Sequence, residues 1–334
     1  MTERAIRVAV VGTGEFGRNH VRVWREIEGA ELAGIVDANP ERAQKIAAEF
    51  GVRVFSGIEA LAAERVEAVS LAVPTKEHAA IGCRLLEAGH DVLVEKPMAA
   101  SIEEADRLDA AARRTGRILQ IGHVERFNAA VIAARAIVNR PMFFEVHRLG
   151  IFTPRSLDID VVYDVMIHDL DILHSLVNAP VEDIKAVGIP VITDKVDIAH
   201  ARLEFANGTV ANLTASRVST ERVRKLRFFQ EHEYVSLDFA RQDVLRIRVQ
   251  HGDASNGSNP PQPGIHFEKV PTSPEEPLRA ELRSFLECVR TRKSPVVDGA
   301  AGRRALELAD RVMAGILEHA GRVQLSAFTP QETP

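Results

Sequence analysis

The chain opens with a short apolar run that ends in three closely spaced glycines. The segment 6–17 reads Ile-Arg-Val-Ala-Val-Val-Gly-Thr-Gly-Glu-Phe-Gly, and a helix-like pattern follows it as far as Ile27. A strand, a glycine-rich turn and a helix in this order are typical of a dinucleotide-binding βαβ unit. Gly12 would permit the turn, Gly14 would let backbone amides approach a pyrophosphate, and Gly17 would let the helix pack against the strand.

An acidic residue stands where such a unit needs one. The next apolar run, 31–36, leads into Asp37, about 20 residues after the last glycine, where a carboxylate accepts hydrogen bonds from the adenosine ribose. Its charge opposes the additional phosphate of NADP, so we predict NAD as the cofactor; Arg42 leaves NADP as the less favoured alternative. A turn whose glycines serve only backbone geometry is the competing interpretation. The predicted cofactor-binding residues of this segment are Gly12, Thr13, Gly14, Glu15, Phe16, Gly17 and Asp37.

Length and composition narrow the class of protein. A chain of 334 residues is long for one core, so two domains are expected. The formal net charge of −5 argues against a general nucleic-acid surface. No apolar stretch has the length of a membrane span or, before the first strand, of a signal sequence. Cys83 and Cys288 have neither metal-like nor redox spacing, so we expect a soluble enzyme of the reducing cytoplasm.

Strand and helix patterns alternate through the first 123 residues. This alternation predicts a doubly wound parallel sheet, and we assign residues 1–123 to an NAD-binding Rossmann domain. Ser101 and Glu104 predict a capping box at the start of a helix over 102–115. The predicted strands are 6–12, 31–36, 52–55, 68–73, 91–95 and 117–122.

The remaining chain, 124–334, has a different character. We predict an α/β domain for substrate binding and oligomerisation, built on a large, mostly antiparallel open sheet whose outer face a second subunit or helices would cover. Asn207-Gly208 predicts a hairpin in which both residues have positive φ. The predicted elements are a helix at 127–139, a strand at 142–149, strands from 184 to 249 that include the hairpin pair 197–206 and 209–217, a loop at 252–264, and helices at 277–291 and 299–320 that pack back on the Rossmann domain.

Lys96 follows the predicted strand 91–95 directly, between Glu95 and Pro97. Ligands of open α/β sheets bind at the carboxyl ends of the strands. A lysine there would hydrogen-bond a substrate hydroxyl and stabilise a developing alkoxide. The alternative is a surface lysine at a strand end.

A second group of polar residues opens a predicted helix that runs to about Val177. Asp164 and His168 are four residues apart, so they share a helix face, and the carboxylate would set the tautomer and basicity of the imidazole. This arrangement suits proton transfer from an alcohol. A metal site is disfavoured because Asp169 and Asp171 point to other faces, and these two would serve the helix dipole.

Further residues lie beside these two candidate groups. Val73-Pro74-Thr75 would form a wall beside the ribose or nicotinamide, and His78 is either a cofactor contact or a helix-surface histidine. Arginine side chains match the oxygens of a diphosphate well. Candidates for such a role are Arg126, Arg148 and Arg155, together with the basic run Arg217, Arg222, Arg224, Lys225 and Arg227, for which a solvated sheet face is the alternative.

Taken together, these motifs resemble the glucose-fructose oxidoreductase / inositol dehydrogenase / MocA (Gfo/Idh/MocA) family of nicotinamide-dependent sugar dehydrogenases, over essentially the whole chain. The family implies a Rossmann domain followed by an α/β domain whose open sheet forms a homodimer or homotetramer. It also implies catalytic positions for Lys96, Asp164 and His168, and it adds Glu95 and Lys96 to the cofactor side. The substrate side of the pocket would comprise Lys96, Arg126, Arg148, Arg155, Asp164 and His168.

Two segments are informative about the subgroup. The segments 122–128 and 162–171 look most similar to bacterial members that oxidise nucleotide-linked amino sugars for lipid A. Before Asp164 the chain reads Asp-Val-Val-Tyr, where many members carry glycines, so a pocket shape cannot be transferred from inositol or glucose enzymes. The resemblance therefore implies oxidation of a secondary alcohol, C3 of a UDP-linked N-acetyl amino sugar. The alternatives are a dehydrogenase of a free polyol such as inositol and a non-catalytic sugar-sensing protein.

Overall fold

The structure is a computed structural model that describes residues 4–153, 159–250 and 264–325. The chain forms two compact units, each assembled from two stretches of sequence. The first comprises Met1–Phe127 with Glu275–Leu306, and the second comprises Asn128–Pro274 with Glu307–Pro334. The loop expected at 252–264 lies almost entirely outside the described residues.

The first unit contains a five-stranded, fully parallel sheet in the order β2-β1-β3-β4-β5. All residues of the last three strands are buried, as expected for a sheet with both faces covered. The predicted doubly wound parallel sheet is thus confirmed. The strands are β1 (Ile6–Val11), β2 (Ala30–Val36), β3 (Ala68–Leu71), β4 (Asp91–Glu95) and β5 (Leu119–Gly122).

The strand predicted at 52–55 was wrong. This segment makes one isolated parallel bridge, between Ile35 and Val54. Its two hydrogen bonds run from the Ile35 amide to the Arg53 carbonyl and from the Phe55 amide to the Ile35 carbonyl, both at 2.8 Å. Because Gly51 ends the preceding helix in a left-handed conformation and a turn follows at once, the extended stretch is too short for a ladder.

Helices surround the first sheet, and their ends follow the local sequence. Ser101 caps its helix by accepting a bond from the Glu104 amide at 3.3 Å, as predicted. Near the C-terminus, Phe285 packs edge-on against Trp24 with ring centroids 6.4 Å apart, which joins a late helix to an early one. The helices are α1 (Glu15–Trp24), α2 (Pro40–Phe50), α3 (Ala60–Ala63), α4 (His78–Glu87), α5 (Ile102–Thr115) and, after the second unit's strands, α8 (Pro277–Thr291).

The second unit contains an eight-stranded sheet in the order β13-β12-β11-β10-β6-β9-β8-β7. Only the β6–β9 pair is parallel among these strands, so the predicted large, mostly antiparallel sheet is confirmed. The strands are β6 (Pro141–Ile151), β7 (Val181–Ile189), β8 (Ile198–Phe205), β9 (Val210–Ser219), β10 (Val223–Gln230), β11 (Glu233–Asp238), β12 (Asp243–Gln250) and β13 (Gly264–Val270).

The hairpin of β8 and β9 forms where expected, but its turn is of a different type. Gly208 has φ of +84°, whereas Asn207 keeps negative φ, so the prediction of two positive-φ residues was wrong. The Gly208 amide donates to the Phe205 carbonyl at 2.8 Å, and the Phe205 amide donates to the Thr209 carbonyl at 2.9 Å. This pattern is a turn followed by a left-handed glycine in a bulge, which is the next most common way to close a hairpin.

Helical segments cover one face of the second sheet. A side chain at Gly188 on β7 would collide with Ile316, so the helix after residue 299 lies close against this strand. The predicted helices are present, except that a π-helical turn, Val162–Met166, precedes the helix that carries His168. The expected packing of the helix at 299–320 on the Rossmann domain is corrected, because from Glu307 onward this helix belongs to the second unit and lies against β7. The α-helices are α6 (Ala129–Ile137), α7 (Ile167–Leu176) and α9 (Gly299–Arg322), the last of which belongs to the second unit from Glu307 onward.

Candidate functional site

The glycine-rich turn of the first unit leaves the start of α1 open. Gly12 has φ of +87°, and a side chain there would lie 2.5 Å from the Ala72 carbonyl oxygen. A side chain at Gly17 would overlap the carbonyl oxygen of Gly12. Gly14 is the N-cap of α1, and, its chain neighbours and the helix's own backbone aside, no described atom lies within 4 Å of the position that a Cβ would take there. The amides at the helix start are therefore accessible to an anion such as a pyrophosphate.

Asp37 lies at the end of β2, and its carboxylate contacts this turn. The amide and hydroxyl of Thr13 both donate to its Oδ2 at 2.7 Å, and the Asn39 amide donates to its Oδ1 at 2.8 Å. Arg42 adds two bonds, from Nε to Oδ2 at 2.9 Å and from Nη2 to Oδ1 at 2.7 Å. Burial alone would raise the pKa of Asp37, but these bonds outweigh it and hold the pKa well below its usual range. The carboxylate is therefore ionised at neutral pH.

These features fit the adenosine and pyrophosphate parts of NAD. The turn has room where the phosphates would approach, and an ionised carboxylate stands where the ribose hydroxyls would lie. Glu15 and Phe16 are the first two residues of α1 and follow this turn directly, and Phe16 is 44% exposed. The cofactor contacts of individual residues stay predictions.

The loops after β3 and β4 are joined by His78. Its Nδ1 lies 2.9 Å from the Pro97 carbonyl oxygen, and its Nε2 lies 2.9 Å from the Val73 carbonyl oxygen. His78 is buried, so the alternative of a helix-surface histidine was wrong, and burial lowers its pKa. Through this ring the loop of Val73, Pro74 and Thr75 is fixed to the loop that carries Lys96.

Glu95, next to Lys96, has a buried partner that the sequence did not reveal. Its Oε1 lies 2.8 Å from Nε2 of His20 on α1, and the histidine side chain has no exposed surface. Burial alone would raise the pKa of Glu95, but the hydrogen bond from His20 and the nearby positive charges lower it. The only local signal was a polar residue on the apolar face of α1, next to Val21 and Trp24, because such a residue needs a partner.

The second unit holds the predicted proton-transfer pair. Asp164 lies in the π-helical turn, His168 lies in the first turn of α7, and both side chains are partly buried. Inserted π-helical turns occur frequently at functional sites. The prediction of an α-helix from residue 164 is therefore corrected to a π turn followed by an α-helix.

Arg148 and Asp169 form a buried ion pair in the same unit. Nη2 of Arg148 donates to Oδ1 of Asp169 at 2.7 Å, Nε donates to Oδ2 at 2.9 Å, and the guanidinium lies 4.7 Å from the ring centre of Phe239. Asp169 thus does more than serve the helix dipole. The role of Arg148 in substrate binding stays a prediction, and it would have to operate together with this pair.

The remaining predicted arginines differ in their surroundings. Arg126 is buried in the first unit and donates to the Val296 carbonyl at 3.3 Å. In the basic run of the second unit, Arg217 is buried and donates to the Ile159 carbonyl, whereas Arg227 pairs with Glu145 at 2.8 Å. Arg155 lies outside the described residues.

Two negative findings apply to the described part of the chain. Within it, no three His, Cys, Asp or Glu side chains are grouped so that they could hold a metal ion. Nor does any helix there have the length and apolar character needed to cross a membrane.

Comparisons with known proteins connect both units to one family. A sequence model of an oxidoreductase family with an NAD-binding Rossmann fold matches residues 6–123, and a model of the GFO/IDH/MocA C-terminal domain matches residues 121–234. The chain is 40% identical to UDP-N-acetylglucosamine 3-dehydrogenase of Acidithiobacillus ferrooxidans over 93% of this chain and 97% of that protein. It is 27% identical to scyllo-inositol 2-dehydrogenase (NAD(+)) of Bacillus subtilis, over 88% and 89% of the two chains.

The fold comparison agrees with the sequence comparison. A solved structure of the Acidithiobacillus ferrooxidans enzyme superposes with a TM-score of 0.85 at 38% identity, covering 94% of this chain and 98% of that one. The family resemblance, the fold class and the NAD cofactor inferred from the sequence are confirmed by these matches. The chain belongs to the Gfo/Idh/MocA family of NAD-binding oxidoreductases.

Proposed function

We propose that this enzyme uses NAD to oxidise a secondary alcohol of a sugar, namely C3 of a UDP-linked N-acetyl amino sugar, to a 3-keto product. The observation that carries the proposal is the 40% identity, over nearly the full length of both chains, to a UDP-N-acetylglucosamine 3-dehydrogenase. Such a product is a precursor of 3-amino sugars, so we place the reaction in lipid A synthesis in the cytoplasm. The two cysteines, both free thiols, are compatible with that compartment.

The proposal assigns one task to each catalytic side chain. When bound, NAD supplies the hydride acceptor. His168 accepts the hydroxyl proton, and Asp164 positions the imidazole and stabilises its charged form. Lys96 orients the hydroxyl and stabilises negative charge on its oxygen, and it is the alternative final base, because interacting groups share their titration.

The loops of the first unit support the assignment to Lys96. Both ring nitrogens of His78 lie 2.9 Å from a carbonyl oxygen, one of Val73 and the other of Pro97, so the backbone on the carboxyl side of Lys96 is packed against the neighbouring strand's loop. Glu95, on its amino side, is held by His20. A lysine between two fixed residues has few backbone conformations, and this restriction favours precise orientation of a substrate hydroxyl.

Recognition of the nucleotide is assigned to arginines. Arg126, Arg148 and Arg155 are the proposed ligands of the diphosphate, because a guanidinium can donate two parallel hydrogen bonds to its oxygens. Arg148 is already bonded to Asp169, so its contribution would include the orientation of this pair.

A free polyol is the second candidate substrate. The full-length similarity to scyllo-inositol 2-dehydrogenase (NAD(+)) favours it, and its oxidation would use the same three catalytic residues. A non-catalytic sugar-sensing protein is the third candidate, but such a protein has no need of the lysine and the Asp164–His168 pair.

A substrate panel separates these candidates. Purified enzyme with NAD is followed by NADH absorbance and by thermal unfolding, with UDP-N-acetylglucosamine, UDP alone or myo-inositol. The proposal expects UDP to stabilise the fold and NADH to form only with the nucleotide sugar. Turnover of myo-inositol with no response to UDP would replace it by the polyol function, and binding of the nucleotide sugar without NADH formation would favour the sensing protein.

We further propose that the enzyme is a homodimer or homotetramer that assembles through the uncovered face of the second sheet. Paired residues on adjacent strands form a row across five strands of that face: Phe143, Phe229, Tyr234, Ile247 and Phe267. We call this set the aromatic row. The ring centroids of Phe143 and Phe229 lie 5.7 Å apart, and those of Phe229 and Tyr234 lie 5.2 Å apart. Phe267 is 71% exposed. An apolar stripe of this kind on a sheet is typical of a subunit interface.

A further inference from the structure

The π-helical turn that contains Asp164 is a backbone conformation that needs support from outside the helix. Its defining hydrogen bond runs from the Ile167 amide to the Val162 carbonyl, five residues earlier. This register is rare, and an α-helix, with hydrogen bonds to the fourth residue back, is the usual alternative. Because each residue of an α-helix occupies about 100° of a turn, a return to the α register would rotate the start of this segment relative to His168 by up to about that angle.

Tyr163, the residue before Asp164, is hydrogen-bonded to the long helix α9. Its hydroxyl donates to Oδ1 of Asp310 at 2.7 Å, and the two residues lie 147 positions apart in the chain. Burial and the Asp310 carboxylate both raise the pKa of Tyr163, so the hydroxyl keeps its proton and remains a donor at neutral pH. A hydrogen bond to an ionised acceptor is stronger than one between neutral groups.

The helix that carries Asp310 is packed closely against β7. A side chain at Gly188 on β7 would lie 2.9 Å from a methyl group of Ile316, and one at Gly315 would lie 3.3 Å from the Ala186 side chain. Helix and strand therefore have little room to shift against each other. Asp310 precedes this contact by about one and a half turns of the same helix, so its carboxylate is a fixed acceptor.

The chain that enters the π-helical turn is held by separate backbone contacts. Oδ1 of Asp160 accepts from the Val196 amide at 2.8 Å, and the Val161 amide donates to the Val196 carbonyl at 2.9 Å. The Asp160 carbonyl accepts from the amides of Tyr163 and Asp164, each at 3.1 Å. These bonds fix where the segment enters the turn, whereas the Tyr163 side chain fixes the turn itself to α9.

We propose that Tyr163 and Asp310 are positioning residues for the proton transfer: their hydrogen bond holds the π-helical turn in register and so keeps the Asp164 carboxylate in place relative to His168. This inference rests on the proposed function, because it assumes that Asp164 and His168 transfer the proton. A contact that only stabilised the fold would change the melting temperature and leave the kcat of the folded enzyme unchanged.

The test measures kcat and KM with NAD and the substrate that the panel of nucleotide sugar and polyol identifies. Tyr163→Phe removes only the hydroxyl, and Asp310→Leu removes the acceptor from the side of α9, so the second variant serves if the first does not fold. Each should lower kcat about 10- to 100-fold, because small misplacements of reacting groups have effects of this size. KM for NAD should stay within about threefold. Asp310→Asn keeps an oxygen acceptor for the hydroxyl, so its kcat should stay within about threefold of the wild type.

Arg311→Ala is the matched control for a general loosening of α9. Arg311 follows Asp310 directly and donates to the carbonyls of Val181 and Glu182 at 2.9 and 3.0 Å. The variant removes hydrogen bonds between α9 and β7 without touching the π-helical turn. Its melting temperature should fall, while its kcat should stay within about threefold of the wild type.

A second measurement needs no turnover. The ring resonances of His168, recorded by NMR in protein with isotope-labelled histidine and assigned with His168→Gln, report the surroundings of the imidazole. They should shift in Tyr163→Phe and Asp310→Leu and stay at their wild-type positions in Arg311→Ala.

The outcomes separate this inference from the proposed function. A kcat that survives His168→Ala would contradict the proposed function. A Tyr163→Phe kcat within about threefold of the wild type, with unchanged His168 resonances, would overturn the positioning role alone. Equal losses of kcat in Arg311→Ala and Tyr163→Phe would also overturn it, since the effect would then come from loosening of α9. So would a loss in Asp310→Asn as large as that in Asp310→Leu, since the acceptor is retained.

Discussion

At the scale of single residues, the proposed chemistry depends on Lys96 and His168. Lys96→Ala and His168→Ala should each lower kcat by about 100-fold or more, the range for a positioned proton-transfer or charge-stabilising group. NADH affinity, measured by calorimetry, should be nearly unchanged. Lys45→Ala, on the exposed surface of α2, is the matched control. A wild-type kcat in either catalytic variant would show that the residue has been assigned wrongly.

The buried pair of His20 and Glu95 fixes the residue that directly precedes Lys96. His20→Ala leaves a buried carboxylate without its partner, so the free energy of unfolding should fall by about 3 kcal/mol. His20→Gln keeps a donor and should lose less. Urea unfolding measures both, and equal stability of the alanine variant and the wild type would contradict the role of this contact.

The sequence predicted several of the residues that form these interactions, but it did not predict which residues they contact. The glycines, Asp37 and Lys96 belong to local patterns, so their positions in a strand-turn-helix unit could be predicted. The bond between His20 and Glu95 joins residues 75 positions apart, and the pair of Arg148 and Asp169 joins strand to helix. Such contacts depend on how elements pack, which a local pattern does not contain.

At the scale of elements, the turn from β1 into α1 has one tightly packed glycine and one open glycine. Gly17→Ala should destabilise the protein by about 1–3 kcal/mol and weaken NADH binding, because the new methyl group overlaps the Gly12 carbonyl and pushes α1 away. Gly14→Ala is the control for stability, since its methyl group meets no described atom within 4 Å. Thermal unfolding should separate the two variants, and equal melting temperatures would contradict close packing at Gly17.

The predictions that were wrong at this scale concern short segments whose local sequence is compatible with two different backbone structures. The segment 52–55 has the composition of a strand but is cut off by turns at both ends, so it makes only one bridge. Asn207-Gly208 favours a turn with two positive φ angles, yet a turn with a glycine bulge closes the same hairpin.

At the scale of the whole molecule, the aromatic row predicts a multi-subunit enzyme. Light scattering should give a mass of two or four times the 36.7 kDa chain. Phe267→Asp should reduce the mass toward that of one chain, because it places a charge in an apolar interface. Leu317→Asp, at a 51% exposed position on α9, is the control. A monomeric wild type, or a Phe267 variant with unchanged mass, would contradict assembly through this face.

The central claim is that the enzyme removes hydride from C3 of a UDP-linked amino sugar. The most direct measurement supplies NAD and UDP-N-acetylglucosamine deuterated at C3, with mass spectrometry of the nicotinamide product. The account predicts that the reduced cofactor carries the deuterium and that a 3-keto nucleotide sugar forms with it. Unlabelled NADH from the same substrate would contradict it. So would the absence of NAD reduction with this substrate, if the same enzyme reduces NAD when a free polyol is supplied.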